Sequence, residues 1–162
     1  MSDSTSLSEI ERLRIWFKSP VSKLSGDDAF VVLMISFSLF ERFIKASLDE
    51  RNINGKQFPV EAAKVLNIDE NVFRNFWEVY RHGIQHFLQP KKHKDKGVIY
   101  GWEINSKHPN LPTYRVETSQ FTTIILNPWG WFDLVFDLWE QKPELLNQLA
   151  VFPIGSIYQS ID

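Results

Sequence analysis

The chain contains no cysteine, which excludes a disulfide framework and every Cys-ligated zinc site. It also lacks a long hydrophobic run. The longest, Ala29 to Ile35, falls far short of the ~20 apolar residues a membrane span needs. Its first residues, Met1-Ser2-Asp3-Ser4, show no basic-then-apolar leader pattern, so the expectation is a cytoplasmic protein with no membrane partner. Neither sign of charge dominates: the net charge is −2. Glycine-rich phosphate loops are missing too, since neither G-x-x-x-x-G-K-[ST] nor G-x-G-x-x-G occurs. Nucleoside-triphosphate hydrolysis and dinucleotide redox chemistry are therefore set aside. No Ser/His/Asp or Cys/His set has a recognisable local signature, and no cofactor is expected.

What is present is an aromatic-rich globular chain. Its 162 residues are 43% apolar, with 13 Phe and 6 Trp, enough to bury a true core. No repeat, low-complexity tract or linker divides it, so one domain over residues 1–162 is expected. Charge is concentrated in one place: Lys91, Lys92, Lys94 and Lys96 fall within six residues, with His93 among them. Such a run suits phosphate contacts, although a solvated loop explains it equally simply.

Hydrophobic spacing predicts the elements. Leu7, Ile10, Leu13 and Phe17 mark a first helix over about Ser6 to Lys18, capped by Ser6 and Glu9 and closed by Pro20. A longer helix starts near Asp27 and ends by Asn54-Gly55; its Phe30–Ile35 stretch is apolar all round, which predicts burial on several sides. A short helix follows Pro59, and another runs from about Asp69 to Leu88 with Phe73, Phe76, Trp77, Tyr80, Ile84 and Phe87 as its apolar stripe. Beyond the lysines the period changes. Gly97–Ile104, Tyr114–Glu117 and Phe121–Leu126 read as strands of a small antiparallel hairpin or meander. Asn127-Pro128 then opens an aromatic helix reaching Gln141 and restarting at Pro143 through Leu149.

The chemistry concentrates on the Asp69–Leu88 helix. His82 and His86 stand four residues apart on one face, with Glu78 four residues before them, while Arg81 and Gln85 form the neighbouring row. Gly83 lies between, where glycine costs ~1 kcal/mol relative to alanine; close approach of another backbone is one reason to keep it there. Imidazole both takes and gives protons near neutral pH. Guanidinium grips phosphate oxygens with a planar fork. Together near a phosphodiester they can deprotonate a ribose 2′-hydroxyl and stabilise charge on the phosphate, cutting RNA without a metal and leaving a 2′,3′-cyclic phosphate. Five residues place Arg81 and His86 ~140° apart around one helix. The last turn must loosen, or a second chain must contribute.

Arg81-x-x-x-x-His86, with polar His82 beside the arginine, resembles the R-x4-6-H motif of HEPN domains. Phe40-Glu41-Arg42-Phe43 in the preceding long helix also looks like the family's earlier core helix, which often carries an acidic residue. The resemblance covers about residues 27–90. It implies a mainly α fold, an antiparallel helical bundle with the helix 128–149 added to it and the β segment of about 97–126 appended. It implies a homodimeric, metal-independent endoribonuclease with Arg81 and His86 as the catalytic pair, His82 supporting them and Glu41 orienting. RNA would be the partner, held by Lys91, Lys92, Lys94 and Lys96. A toxin or antiviral role, with an antitoxin protein as a further partner, follows by analogy alone.

Two other readings stand beside it. Glu78, His82 and His86 could share a zinc ion, though the order is not HExxH. A non-catalytic interaction or RNA-binding module is the other, with Trp129, Trp131, Phe132, Phe136 and Trp139 supplying either core or a partner surface.

Overall fold

The computed structural model describes residues 8–48 and 56–147. Helix α1 begins at Glu9–Leu13, passes through a π turn at Arg14–Lys18 and ends with Ser19–Val21. Its capping box is Ser8 with Glu11, the Ser8 amide donating to Glu11 Oε2 at 2.8 Å. Ser6, predicted as the cap, lies outside the described residues. Pro20 does not close the helix; the wider π turn just before it eases the clash a proline ring makes with the preceding turn.

After a 3₁₀ turn at Gly26–Asp28, α2 runs Ala29–Ser47. Val32, Leu33, Phe37, Phe40, Phe43 and Ile44 are buried along it, the three- and four-residue spacing of one apolar face. The predicted all-round burial fails at Val31 and Met34, which are exposed. The predicted end at Asn54-Gly55 lies outside the described residues. Helix α3 is Gln57–Leu66, ended by Asn67 at φ 53°, a left-handed cap that Asn tolerates. Asp69 caps α4 by accepting from Asn71 N and Val72 N. That helix runs Glu70–Trp77, takes a π turn at Glu78–His82 and finishes with Gly83–Phe87.

Four strands follow: β1 His93–Asp95, β2 Val98–Ile104, β3 Thr113–Thr118 and β4 Phe121–Leu126. The β1–β2 hairpin turns on Lys96 and Gly97, both at positive φ (47° and 85°), as a tight hairpin of right-twisted strands requires. The sheet order is β1-β2-β4-β3. Strand β4 pairs antiparallel with β3 but parallel with β2. Helix α5, Pro128–Gln141, has Asn127 as its cap, accepting from Gly130 N, and a 3₁₀ turn at Pro143–Asn147 follows.

The expected HEPN-like helical bundle with a small hairpin or meander is thus overturned. The chain is α+β, with a four-stranded mixed sheet. The physical reason lies in β4: Ile124, Ile125 and Leu126 are all buried, as in an interior strand covered on both faces. It takes the central place between β2 and β3, which are not neighbours.

Helices α2 and α5 pack against each other, and α4 lies against both α2 and the sheet. Trp131 on α5 meets Phe37, Phe40 and Phe76 at ring distances of 5.6, 5.1 and 5.2 Å. Trp139 donates its indole N–H to the Leu39 carbonyl at 3.2 Å. Trp131, Phe132, Phe136 and Trp139 are buried, so these C-terminal aromatics are core rather than partner surface. Tyr80 ties α4 to the sheet. Its hydroxyl lies 2.7 Å from the Glu103 carbonyl oxygen and 2.8 Å from that of Ile124, bridging β2 and β4 with one proton to donate. Burial pushes that phenol well above its ordinary pKa, with the nearby Glu103 charge adding to it.

Candidate functional site

The helix that carries the motif ends in a reversal of the chain. Leu88 adopts φ 60°, and residues 89–91 run back over the helix so that Lys91 N donates to the Val79 carbonyl at 2.9 Å. A Cβ on Gly83 would lie 2.6 Å from Lys91 N and 2.8 Å from both Gln89 O and Pro90 Cα. Glycine is required there because backbone crosses it. The crossing segment is the chain's own return, not a second helix or a second copy.

This helix divides two clefts. On the α2 side, Arg81 donates to Glu41 Oε2 through Nη2 at 2.7 Å and Nε at 3.2 Å. Lys45 Nζ holds the other carboxylate oxygen at 2.7 Å. The Arg81 guanidinium also lies over the Trp77 ring, 5.7 Å from its centroid. Burial pushes the Glu41 carboxyl up, but the hydrogen bonds and charges of Lys45 and Arg81 outweigh it, and its pKa ends below the ordinary value. Arg81, Glu41, Met34, Phe37, Gln85 and Leu88 help line a cleft of about 190 Å³.

On the opposite side, His82 Nδ1 lies 2.9 Å from Glu78 Oε1, and Lys91 Nζ lies 3.5 Å from Glu78 Oε2. His82 and Glu78 line a larger cleft of about 470 Å³, walled by Phe58 and Trp77 and closed by His93 and Asp95 of β1. His86 lines neither cleft; it is exposed at the helix end, its ring 6.1 Å from that of His82.

Within one chain, then, the structure groups Arg81 with Glu41 and groups His82 with Glu78, but it does not bring Arg81 and His86 into one pocket. Of the four lysines of the run, Lys92, Lys94 and Lys96 are exposed. Lys91 pairs with Glu78, Lys92 lies 5.9 Å from the Phe121 ring centroid, Lys94 is exposed on β1, and Lys96 sits at the hairpin turn on the rim of the larger cleft. Among the described residues no group of three His, Asp or Glu side chains is placed to hold a metal ion, so Glu78, His82 and His86 do not form the zinc site considered above. No described helix is long and apolar enough to cross a membrane.

Sequence reasoning missed His93 and Asp95. Their signal was there: within the lysine run they alternate with Lys92, Lys94 and Lys96, and a period of two puts His93 and Asp95 on one face of a strand. The chain matches no family model, no curated protein and no solved structure.

Proposed function

We propose that the chain is a metal-independent endoribonuclease of HEPN type whose working site forms between two copies. The observation that carries this reading is the end of α4. Exposed His86 is followed by Phe87 and Leu88, 62% and 69% exposed, apolar surface that a second copy would cover. Docking there would set the His86 of one copy near the Arg81 cleft of the other, because Leu88 also lines that cleft. His86 would take the proton of a ribose 2′-hydroxyl; the 2′-oxygen would attack phosphorus as the bond to the 5′-oxygen breaks, and the imidazolium of His86 would return that proton to the leaving 5′-oxygen. Arg81, held in place by Glu41, would stabilise charge on the phosphate oxygens, and His82 would support proton transfer. Growth arrest or antiviral defence, with an antitoxin as a second protein partner, is the setting that the motif resemblance suggests.

Purified chain is incubated with labelled RNA in EDTA, beside Arg81→Ala and His86→Ala. The parent should cut RNA but not DNA and leave cyclic-phosphate ends, and His86→Ala should be slower by roughly 10²-fold or more, the usual worth of a general base. Equal cleavage by parent and His86→Ala, or none by the parent at high concentration, would remove the proposal.

A second reading, a catalytically inactive RNA-binding or interaction module, is favoured by the Arg81–Glu41 pair itself. Arg81 and Glu41 side chains are only 21% and 23% exposed, and the guanidinium is already engaged. Salt-dependent RNA binding by the parent without cleavage, retained in Arg81→Ala, would select it.

A further inference from the structure

In the larger cleft, groups from three separate elements converge without Arg81 or His86. Helix α3 contributes Phe58, α4 contributes Trp77, Glu78 and His82, and the β1 hairpin contributes His93, Asp95 and Lys96. Its volume of about 470 Å³ falls in the range of small-molecule sites, which pair an apolar wall with a few placed polar groups. That wall is aromatic: Phe58 and Trp77 lie 5.0 Å apart by ring centroids. The polar groups include imidazole, carboxylate, ammonium and amide. His82 is oriented by its contact with Glu78 at 2.9 Å. His93 and Asp95 face inward from one side of β1, and their side chains have no hydrogen-bond or ion-pair partner among the described residues. Lys96 stands at the mouth with its ammonium likewise unpaired among them. Asn75, 4% exposed, gives its amide N–H to the Asn71 carbonyl at 2.9 Å and lines the same cleft.

We propose that this cleft binds one nucleotide of an RNA strand, with the base against the Phe58–Trp77 wall and the phosphate between His93 and Lys96. A flat heterocycle suits an aromatic wall and tolerates any base. The unpaired cation and imidazole supply donors for phosphate oxygens. The acceptor-only carboxylates of Asp95 and Glu78 suit ribose hydroxyls and base N–H groups rather than the phosphate. The choice of a nucleotide as ligand rests on the ribonuclease reading; the site itself does not, because it needs neither Arg81 nor His86.

The test uses the full chain and adenosine 3′-monophosphate with its three base analogues, followed by NMR of the indole and imidazole resonances. Saturable shifts are expected at Trp77, His82 and His93, with affinity at least 10-fold weaker in Lys96→Ala and in His93→Ala. Both variants change partly exposed side chains in a hairpin, and an unchanged amide spectrum elsewhere certifies their fold. Inorganic phosphate and adenosine alone should each bind more weakly than the nucleotide. No saturable shift at millimolar nucleotide, or unaltered affinity in both variants, would overturn the proposal. Nucleotide binding in a chain that cuts no RNA would leave this site standing and remove only the nuclease; cleavage without any nucleotide shift in the cleft would do the reverse.

Discussion

The two faces of α4 carry similar groups and put them to different uses. On one, Arg81 and Lys45 close on Glu41 across the gap between two helices. On the other, Glu78 pairs with His82 one turn away and with Lys91 from the returning segment. The first carboxylate links elements 40 residues apart in sequence and is the more enclosed, at 23% side-chain exposure against 34%. The second lies where water screens the pair. Acidic residues one helix turn from a cation are therefore a weak guide to tertiary importance; what counts is which neighbouring element the helix face meets.

Four substitutions test this contrast. Trp77 is the shared wall: it is 9% exposed and touches Phe37, Phe40, Phe58 and Phe73 while carrying Arg81 over its ring. Trp77→Ala should lower unfolding free energy by about 3–5 kcal/mol and perturb both clefts together. A loss below ~1 kcal/mol in denaturant titration would mean that the two faces do not share this wall.

Gly83→Ala comes next. The gain in helix propensity, ~1 kcal/mol, is opposed by a Cβ that meets backbone at 2.6–2.8 Å with no flexible side chain to yield. Net destabilisation of about 1–2 kcal/mol is expected, from overpacking of ~1–3 kcal/mol or somewhat more. The same change should raise hydrogen exchange at the Lys91 amide, which donates to Val79. Increased stability would show that residues 89–91 do not lie over the helix.

The smallest effect separates the two carboxylates. Glu41→Gln should cost about 1–2 kcal/mol at neutral pH, and Glu78→Gln less than ~1 kcal/mol, since an exposed pair is worth little. Because the folded Glu41 pKa lies below the ordinary glutamate value of 4.5, its stabilisation is fully present above that value and fades as pH falls through the depressed one. The gap between parent and Glu41→Gln, measured by urea unfolding at several pH values, should narrow on acidification below ~4.5. A gap that stays constant to low pH would show that the Glu41 charge does not hold Arg81 and Lys45.

Helix positions were legible because each rests on local signals. The Asp69 cap, the apolar spacing from Phe73 to Ile84 and the stop at Pro90 all lie within one element's own stretch of chain. Strand β4 was legible for the same reason, and its bounds, Phe121–Leu126, match the pattern. Its neighbours were not. Parallel pairing with β2 joins Ile99 to Phe121 and Ile104 to Leu126, a register that no local spacing encodes, and the choice between a meander and an inserted central strand depends on what covers each face. Phe87 misled for the opposite reason. It keeps the helical period but falls in the last turn, beyond the end of the core that its stripe follows.

Residue order alone determined the helices, the Asp69 and Asn127 caps and the presence of arginine and two histidines at one helix end, because these follow from the 3.6-residue period and from short-range hydrogen bonding. Tertiary packing decided which side chains share a cleft. Arg81 and His82 are adjacent in sequence, yet helical rotation points them at different neighbours, and His82 shares a cleft with His93 of β1 because the chain reverses over Gly83 and delivers that strand to the same side.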